Sequence, residues 1–282
     1  MSSVFKGIRE YFKQAGTNNP VDKLGDYVRD QLERIGMLDI YDEFIYWNGW
    51  RTFRIMWKTL FKYPIEGKGN FPEYGPALVV SNHQSEYDPF LVGSAVQRKV
   101  QWLSKKENFE MPIFRTIIKP FGTIPLDRGK SDKDALAKVD AVLQGGGCVG
   151  MFPEGTRSAD GSISKFRKGA ALIAMKNMVP YVPCAIIGAY KALPKGTTVF
   201  KTKLSPIKIR IGKPVFIDPT IEITPENLEL IAEDMRRRIV ALHDGKEIPP
   251  QSRIKIDEAS GEFVGFYYPA EEELVADDLA IS

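Results

Sequence analysis

From Phe5 to about Tyr63 apolar positions recur at helical spacing, with a break at Gly16-Thr17-Asn18-Asn19-Pro20 and a weaker one at Gly36. After Pro64 the pattern changes. Ala77-Leu78-Val79-Val80-Ser81 is the short apolar run of a buried strand, and Pro89 to Val96 reads as a helix opened by proline. Val100 to Leu103 gives a second strand, followed by a helical stretch from Glu107 to Lys119 interrupted at Pro112. Ser131-x-x-Asp134 resembles a capping box for a helix with Ala135, Leu136, Val139, Val142 and Leu143 on its apolar face, stopped by Gly145-Gly146-Gly147. Cys148 to Phe152 is a third strand. A helix from about Gly169 to Asn177 and strands at Tyr181 to Ile187 and Ile207 to Ile211 continue the alternation. Thr224 and Pro225 open a last helix whose buried stripe is Leu228, Ile231, Met235, Ile239 and Leu242. This order predicts an α/β fold, a mostly parallel central sheet covered by helices on both faces and preceded by an N-terminal amphipathic helical segment. The expected parts are residues 1–63, a domain over 64–250 and an acidic tail over 251–282.

Within the N-terminal segment, Tyr46, Trp50, Phe53, Trp57 and Leu60 share one helical face, with Arg51, Arg54, Lys58 and Lys62 opposite. Such a helix can lie in a membrane interface, where each basic residue adds ~1 kcal/mol toward an anionic surface. Trp50, Phe53, Arg54, Trp57 and Lys58 are the expected interface residues. The competing reading is a helix that packs its aromatic face on the domain. Charge supports a basic body: the net +3 conceals a tail rich in Asp and Glu after Pro250. So small a net charge does not point to nucleic acid. Cys148 and Cys184 have neither disulfide nor zinc spacing, so a reducing compartment and no metal are expected. No stretch approaches the roughly 18 apolar residues of a membrane span.

Two motifs carry chemistry. Asn82-His83-Gln84-Ser85-Glu86-Tyr87-Asp88 follows a strand and places a carboxylate near an imidazole, which suits a general base held in one tautomer. Phe152-Pro153-Glu154-Gly155-Thr156-Arg157-Ser158 also follows a strand and offers a glycine and a guanidinium suited to an anion. An ordinary turn with a surface ion pair has the same letters. Between the two, Gly122 to Arg128 contributes another arginine, or a buried strand ended by an Asp-Arg pair. The run Gly145 to Gly150 fits the spacing of a dinucleotide loop, but it leaves a helix and enters a strand, so it reads as a helix stop.

Together these residues resemble the glycerolipid acyltransferase family, the lysophosphatidic acid acyltransferases. Four blocks stand in order over roughly residues 64 to 214: Asn82-His83 through Asp88, Gly122 through Arg128, Phe152 through Ser158, and Tyr181-Val182-Pro183-Cys184. The resemblance implies transfer of a fatty acyl group from acyl-CoA or acyl carrier protein to the hydroxyl of lysophosphatidic acid, without an acyl-enzyme and without a cofactor. On this carry-over His83 and Asp88 are catalytic, Lys105, Arg128, Glu154, Gly155, Thr156 and Arg157 hold the acceptor, and backbone near Val182 and Pro183 aids the oxyanion. The chain would act at the cytoplasmic face of a membrane as a peripheral or monotopic protein. Glycerol-3-phosphate or another lysophospholipid is the alternative acceptor. A thioester hydrolase and a non-enzymatic lipid-binding protein are the other readings.

Overall fold

The computed structural model describes residues 19–111, 114–127, 132–192, 194 and 206–246, with the backbone of 253–256 and 263–267. In chain order the elements are α1 (Pro20–Arg34), α2 (Leu38–Leu60), β1 (Ile65–Glu66), β2 (Ala77–Ser81), α3 (Asp88–Ala95), β3 (Val100–Lys105) and α4 (Phe114–Ile118). There follow β4 (Ile124–Leu126), α5 (Lys133–Gln144), β5 (Cys148–Met151), α6 (Gly169–Asn177), β6 (Tyr181–Ile187) and α7 (Ala189–Ala192). The chain closes with β7 (Lys208–Ile211), α8 (Pro225–Asp244), β8 (Arg253–Ile256) and β9 (Phe263–Tyr267).

A seven-stranded sheet has the order β1-β7-β6-β2-β5-β3-β4, and its one antiparallel pair is β6 with β7. The strands are apolar because both faces of the sheet are covered. Leu78 and Val80 point to a core shared with α5, α6 and α8 through Val139, Ile173 and Met235. Ala77 and Val79 point the other way, to a core that α2 and α3 close with Trp57, Phe61, Leu91 and Val92. Alternate residues of one strand thus feed two layers. The change at Pro64 marks where helix gives way to strand, since Trp57 and Phe61 pack in the same core as β2.

Two sequence expectations need correction. The cap of α5 is Asp132, whose side chain accepts from Ala135 N at 2.9 Å; Ser131 lies outside the described residues. The stretch from Glu107 to Lys119 is a 3-10 turn, Lys106–Phe109, followed by the short α4. Within the acidic tail, β8 and β9 pair as an antiparallel two-stranded sheet. The glycine run after α5 is a helix stop: Gly145, Gly146 and Gly147 donate back to Ala141, Leu143 and Val142 carbonyls.

The aromatic face of α2 turns inward. Trp57 is fully buried and Tyr46 nearly so, while Trp50 Nε1 donates to Val96 O at 2.8 Å and Arg54 Nη1 to Ser94 O at 3.2 Å. Tyr63 donates to Leu91 O as well. These groups satisfy carbonyls at the C-terminal end of α3, which a helix cannot satisfy by itself. Arg54 also lies 4.9 Å from the Trp50 ring centroid, a cation–π contact. Phe53 stacks between Trp57 and Phe90. Trp50, Phe53, Arg54 and Trp57 are therefore packing residues, and of the expected interface set only Lys58 is exposed. The exposed apolar side chains of this region are instead Ile35, Met37, Ile40, Phe44 and Ile55. Among the described residues no helix is long and apolar enough to cross a membrane.

Candidate active site

β2 and β5 are parallel neighbours, with Val80 opposite Met151, so the turns that follow them emerge side by side at the carboxyl edge of the sheet. The two motifs, distant in sequence, are tied through backbone and side chain. His83 N donates to Glu154 Oε1 at 2.7 Å, and Ser158 N donates to His83 O at 2.7 Å. Asn82 pairs with β6, giving Nδ2 to Ile186 O at 3.0 Å and taking Ile186 N at 2.8 Å. An amide side chain here imitates the backbone ladder and continues it past the end of β2. Gln84 fixes the other side of the turn, donating to Gly161 O and accepting from Tyr190 N, both at 3.2 Å.

His83 Nδ1 stands 2.8 Å from Asp88 Oδ2. That oxygen also accepts from Gln84 N at 2.5 Å and Ser85 N at 2.8 Å, and Asp88 is wholly buried at the first residue of α3. All three donors meet one oxygen of a carboxylate, an acceptor, so Nδ1 donates to it and Nε2 has a free lone pair. The imidazole is stacked on Phe152, with ring centroids 4.2 Å apart and planes at 15°.

His83 opens onto a cavity of about 350 Å³. Its apolar wall comes from Phe90, Leu103, Phe114, Ile118 and Phe121, and its polar side from Lys105, Thr156 and Arg157. The wall residue Phe121 packs under α2, where a Cβ on Gly49 would lie 2.5 Å from its ring. α1 braces the same wall: Asp26 Oδ1 accepts from Lys119 Nζ at 2.6 Å, and Asp22 Oδ1 accepts from Thr116 Oγ1 at 2.7 Å.

The residues of the second motif divide into two roles. Glu154 is buried, and both oxygens are committed, Oε1 to His83 N and Oε2 to Ser164 N and Oγ at 3.0 and 2.8 Å. It is a brace between two loops rather than an anion ligand, since its oxygens already accept from these donors and its charge would repel phosphate. Gly155 has φ of 71°, and a Cβ there would lie 2.7 Å from Arg167 Nε. The positive φ is what favours glycine in this turn, since the Arg167 side chain could shift aside. Arg157 faces the cavity, and its Nη1 is 3.0 Å from Glu86 Oε1. Arg128 lies outside the described residues. Val182 and Pro183 do not line the cavity: both are buried in β6 between β2 and β7, and Pro183 offers only a carbonyl, taken by Gly212 N at 2.8 Å. An interior strand spends its donors on its neighbours, which removes the oxyanion role expected there. Burial pushes the Cys148 thiol up to about 11 and the Cys184 thiol up to about 12, so neither supplies a thiolate.

Two partners escaped sequence reasoning. Ser164, which completes the Glu154 brace, belongs to no recognisable motif. Glu86 lies inside the first motif between His83 and Asp88, and only its proximity to Arg157 reveals its use.

The family model described as Acyltransferase matches residues 62–187. Over these residues the chain is similar to this acyltransferase family. It is 34% identical over 188 residues to the chloroplastic 1-acyl-sn-glycerol-3-phosphate acyltransferase LPAT1 of Arabidopsis thaliana, covering 64% of this chain and 52% of that protein. It is 33% identical over 188 residues to the chloroplastic BAT2 enzyme of the same name from Brassica napus, covering 64% of this chain and 54% of the relative. The chain thus spans about half the length of these relatives. A crystal structure of the 1-acyl-sn-glycerophosphate (LPA) acyltransferase PlsC from Thermotoga maritima superposes with a TM-score of 0.55 at 28% identity, over 84% of this chain and 88% of that one. The mostly parallel α/β architecture of the chain is the fold it shares with PlsC.

Proposed function

We propose that this acyltransferase moves a fatty acyl group from a thioester, acyl-CoA or acyl carrier protein, to the free hydroxyl of lysophosphatidic acid, giving phosphatidic acid. The observation that carries this reading is a base held by a buried carboxylate at the mouth of an apolar cavity that also presents Arg157. His83 Nε2 takes the hydroxyl proton, and Asp88 supports the imidazolium that forms. The acceptor oxygen attacks the thioester carbonyl carbon, the C–S bond breaks, and the departing thiolate takes the proton back from His83. No side chain carries the acyl group. Holding both substrates at one edge of the sheet supplies the proximity that the step needs. The apolar wall suits the acyl chain and the Lys105 and Arg157 side suits the phosphate, with Thr156 beside them. The acceptor screen is decisive: thiol release from oleoyl-CoA should be fast with lysophosphatidic acid and slow with glycerol-3-phosphate or with no acceptor. Acceptor-independent release would identify a hydrolase instead.

Arg157 is the main phosphate ligand in this reading, and Glu86 competes for it. Arg157→Ala should raise the apparent KM for lysophosphatidic acid with a smaller effect on kcat. Glu86→Gln should lower that KM about two- to fivefold, because an exposed pair of this kind is weak and its loss frees the guanidinium. Steady-state kinetics with varied acceptor checks both, and a KM unmoved in either variant contradicts the clamp.

Membrane contact is proposed through the exposed apolar stripe rather than the aromatic face of α2. Ile40 and Phe44 are each 65% exposed and lie one helical turn apart, with Lys58 and Lys62 exposed on the same helix and just beyond it. Phe44→Glu combined with Ile40→Glu should abolish flotation with anionic liposomes while leaving the thermal transition in place. Retained flotation would contradict this surface. Trp57→Glu tests something else, since it places a charge in the core.

A further inference from the structure

The base is held by more than Asp88. We propose that Trp102 is a positioning residue, which with Phe152 forms an aromatic backstop that keeps the His83 ring aligned between Asp88 and the cavity. This rests on the reading of His83 as the base. Trp102 lies on β3 directly opposite Gly150 of β5, and it is buried. Its indole covers Gly150 so closely that a Cβ there would lie 2.7 Å from Cδ2, which leaves glycine as the residue that fits. Two positions further along, just past the end of β5, comes Phe152. The Trp102 and Phe152 rings are 4.7 Å apart with planes at 12°, and Phe152 in turn lies flat against His83.

A hydrogen bond from Nδ1 to Asp88 fixes one point of the imidazole and leaves the ring free to rock about that bond. A flat neighbour removes that motion, and Phe152 is itself held flat by Trp102. Among the described residues the charged groups around His83 are Asp88 of α3, Glu86 and Glu154 with Arg157 from the two turns, and Lys105 of β3. None of them is altered by a change at Trp102 or Gly150.

The chain has two histidines, so NMR titration of the imidazoles reads His83 directly, with His243 as an internal reference. Trp102→Leu should move the His83 midpoint, as the ring loses its alignment on Asp88, and leave His243 in place, whereas Trp102→Phe should keep His83 near its original midpoint. In acyl transfer Trp102→Leu should lower kcat on the order of 10- to 100-fold at unchanged donor and acceptor KM, with most of the loss restored in Trp102→Phe. Gly150→Ala displaces the indole without removing it and should reproduce the kcat loss, which keeps the proposal testable if Trp102→Leu does not fold. A His83 midpoint that stays put, or a loss confined to donor KM, would overturn it and leave Trp102 as cavity wall. The titration needs no turnover, so it separates failure of the backstop from failure of the acyltransferase reading.

Discussion

His83→Ala is expected to lower the rate of acyl transfer by about 10²- to 10⁴-fold, the usual contribution of a positioned general base. The fold should survive. What ties His83 into the structure is its backbone, through Glu154 Oε1 and Ser158 N, and alanine keeps both contacts. Asp88 loses the imidazole but retains Gln84 N and Ser85 N, so its buried charge is not stranded. Turnover should therefore fall without a matching fall in melting temperature. Near-normal transfer by a folded His83→Ala protein would contradict the mechanism.

Glu154→Ala is the second change of large effect, and it distinguishes a brace from a ligand. Removing the buried carboxylate leaves His83 N, Ser164 N and Ser164 Oγ without their acceptor, His83 half-buried and Ser164 at the surface where water can replace it. Stability should drop by about 1 kcal/mol, and kcat should fall because the turn that carries His83 loosens. Acceptor KM should change little. Glu154→Gln is a milder form of the same lesion: its amide must turn an NH₂ group toward either His83 N–H or the Ser164 amide, placing donor against donor. Were Glu154 a contact to the phosphate lipid, the neutral amide would tighten acceptor binding and leave the melting temperature alone. Thermal melts alongside acceptor-varied kinetics decide between these outcomes.

The elements that sequence reasoning placed best are those bounded by unambiguous punctuation. β2, α6 and β6 begin and end where expected, because continuous apolar runs stop at polar or glycine positions and both faces of the sheet are buried. The site was legible to the extent that strand ends could be located, since two parallel neighbours deliver their following turns to one edge. Partners across space were not legible. A helical wheel showed that Tyr46, Trp50 and Trp57 share a face but not what that face meets: Trp50 donates to Val96 O just past α3, Tyr46 to Arg98 O, and Trp57 packs in the core. Glu154 looked like a ligand because a motif displays residue type and conceals burial. Asp132 and Ser131 are both competent caps side by side, and only the backbone geometry selects Asp132. The three residues of β4, one of them Pro125, are too short a run to separate from a loop by pattern.

The central claim is direct attack by the His83-activated hydroxyl, with no acyl group carried by the protein. Incubating the protein with thioester labelled in the acyl chain, then adding lysophosphatidic acid and quenching, tests it most directly. The account predicts no label on the protein before the acceptor arrives, and afterwards label in phosphatidic acid in the same amount as thiol released. Label bound to the chain, or recovered as free fatty acid at the rate of thiol release, would contradict it.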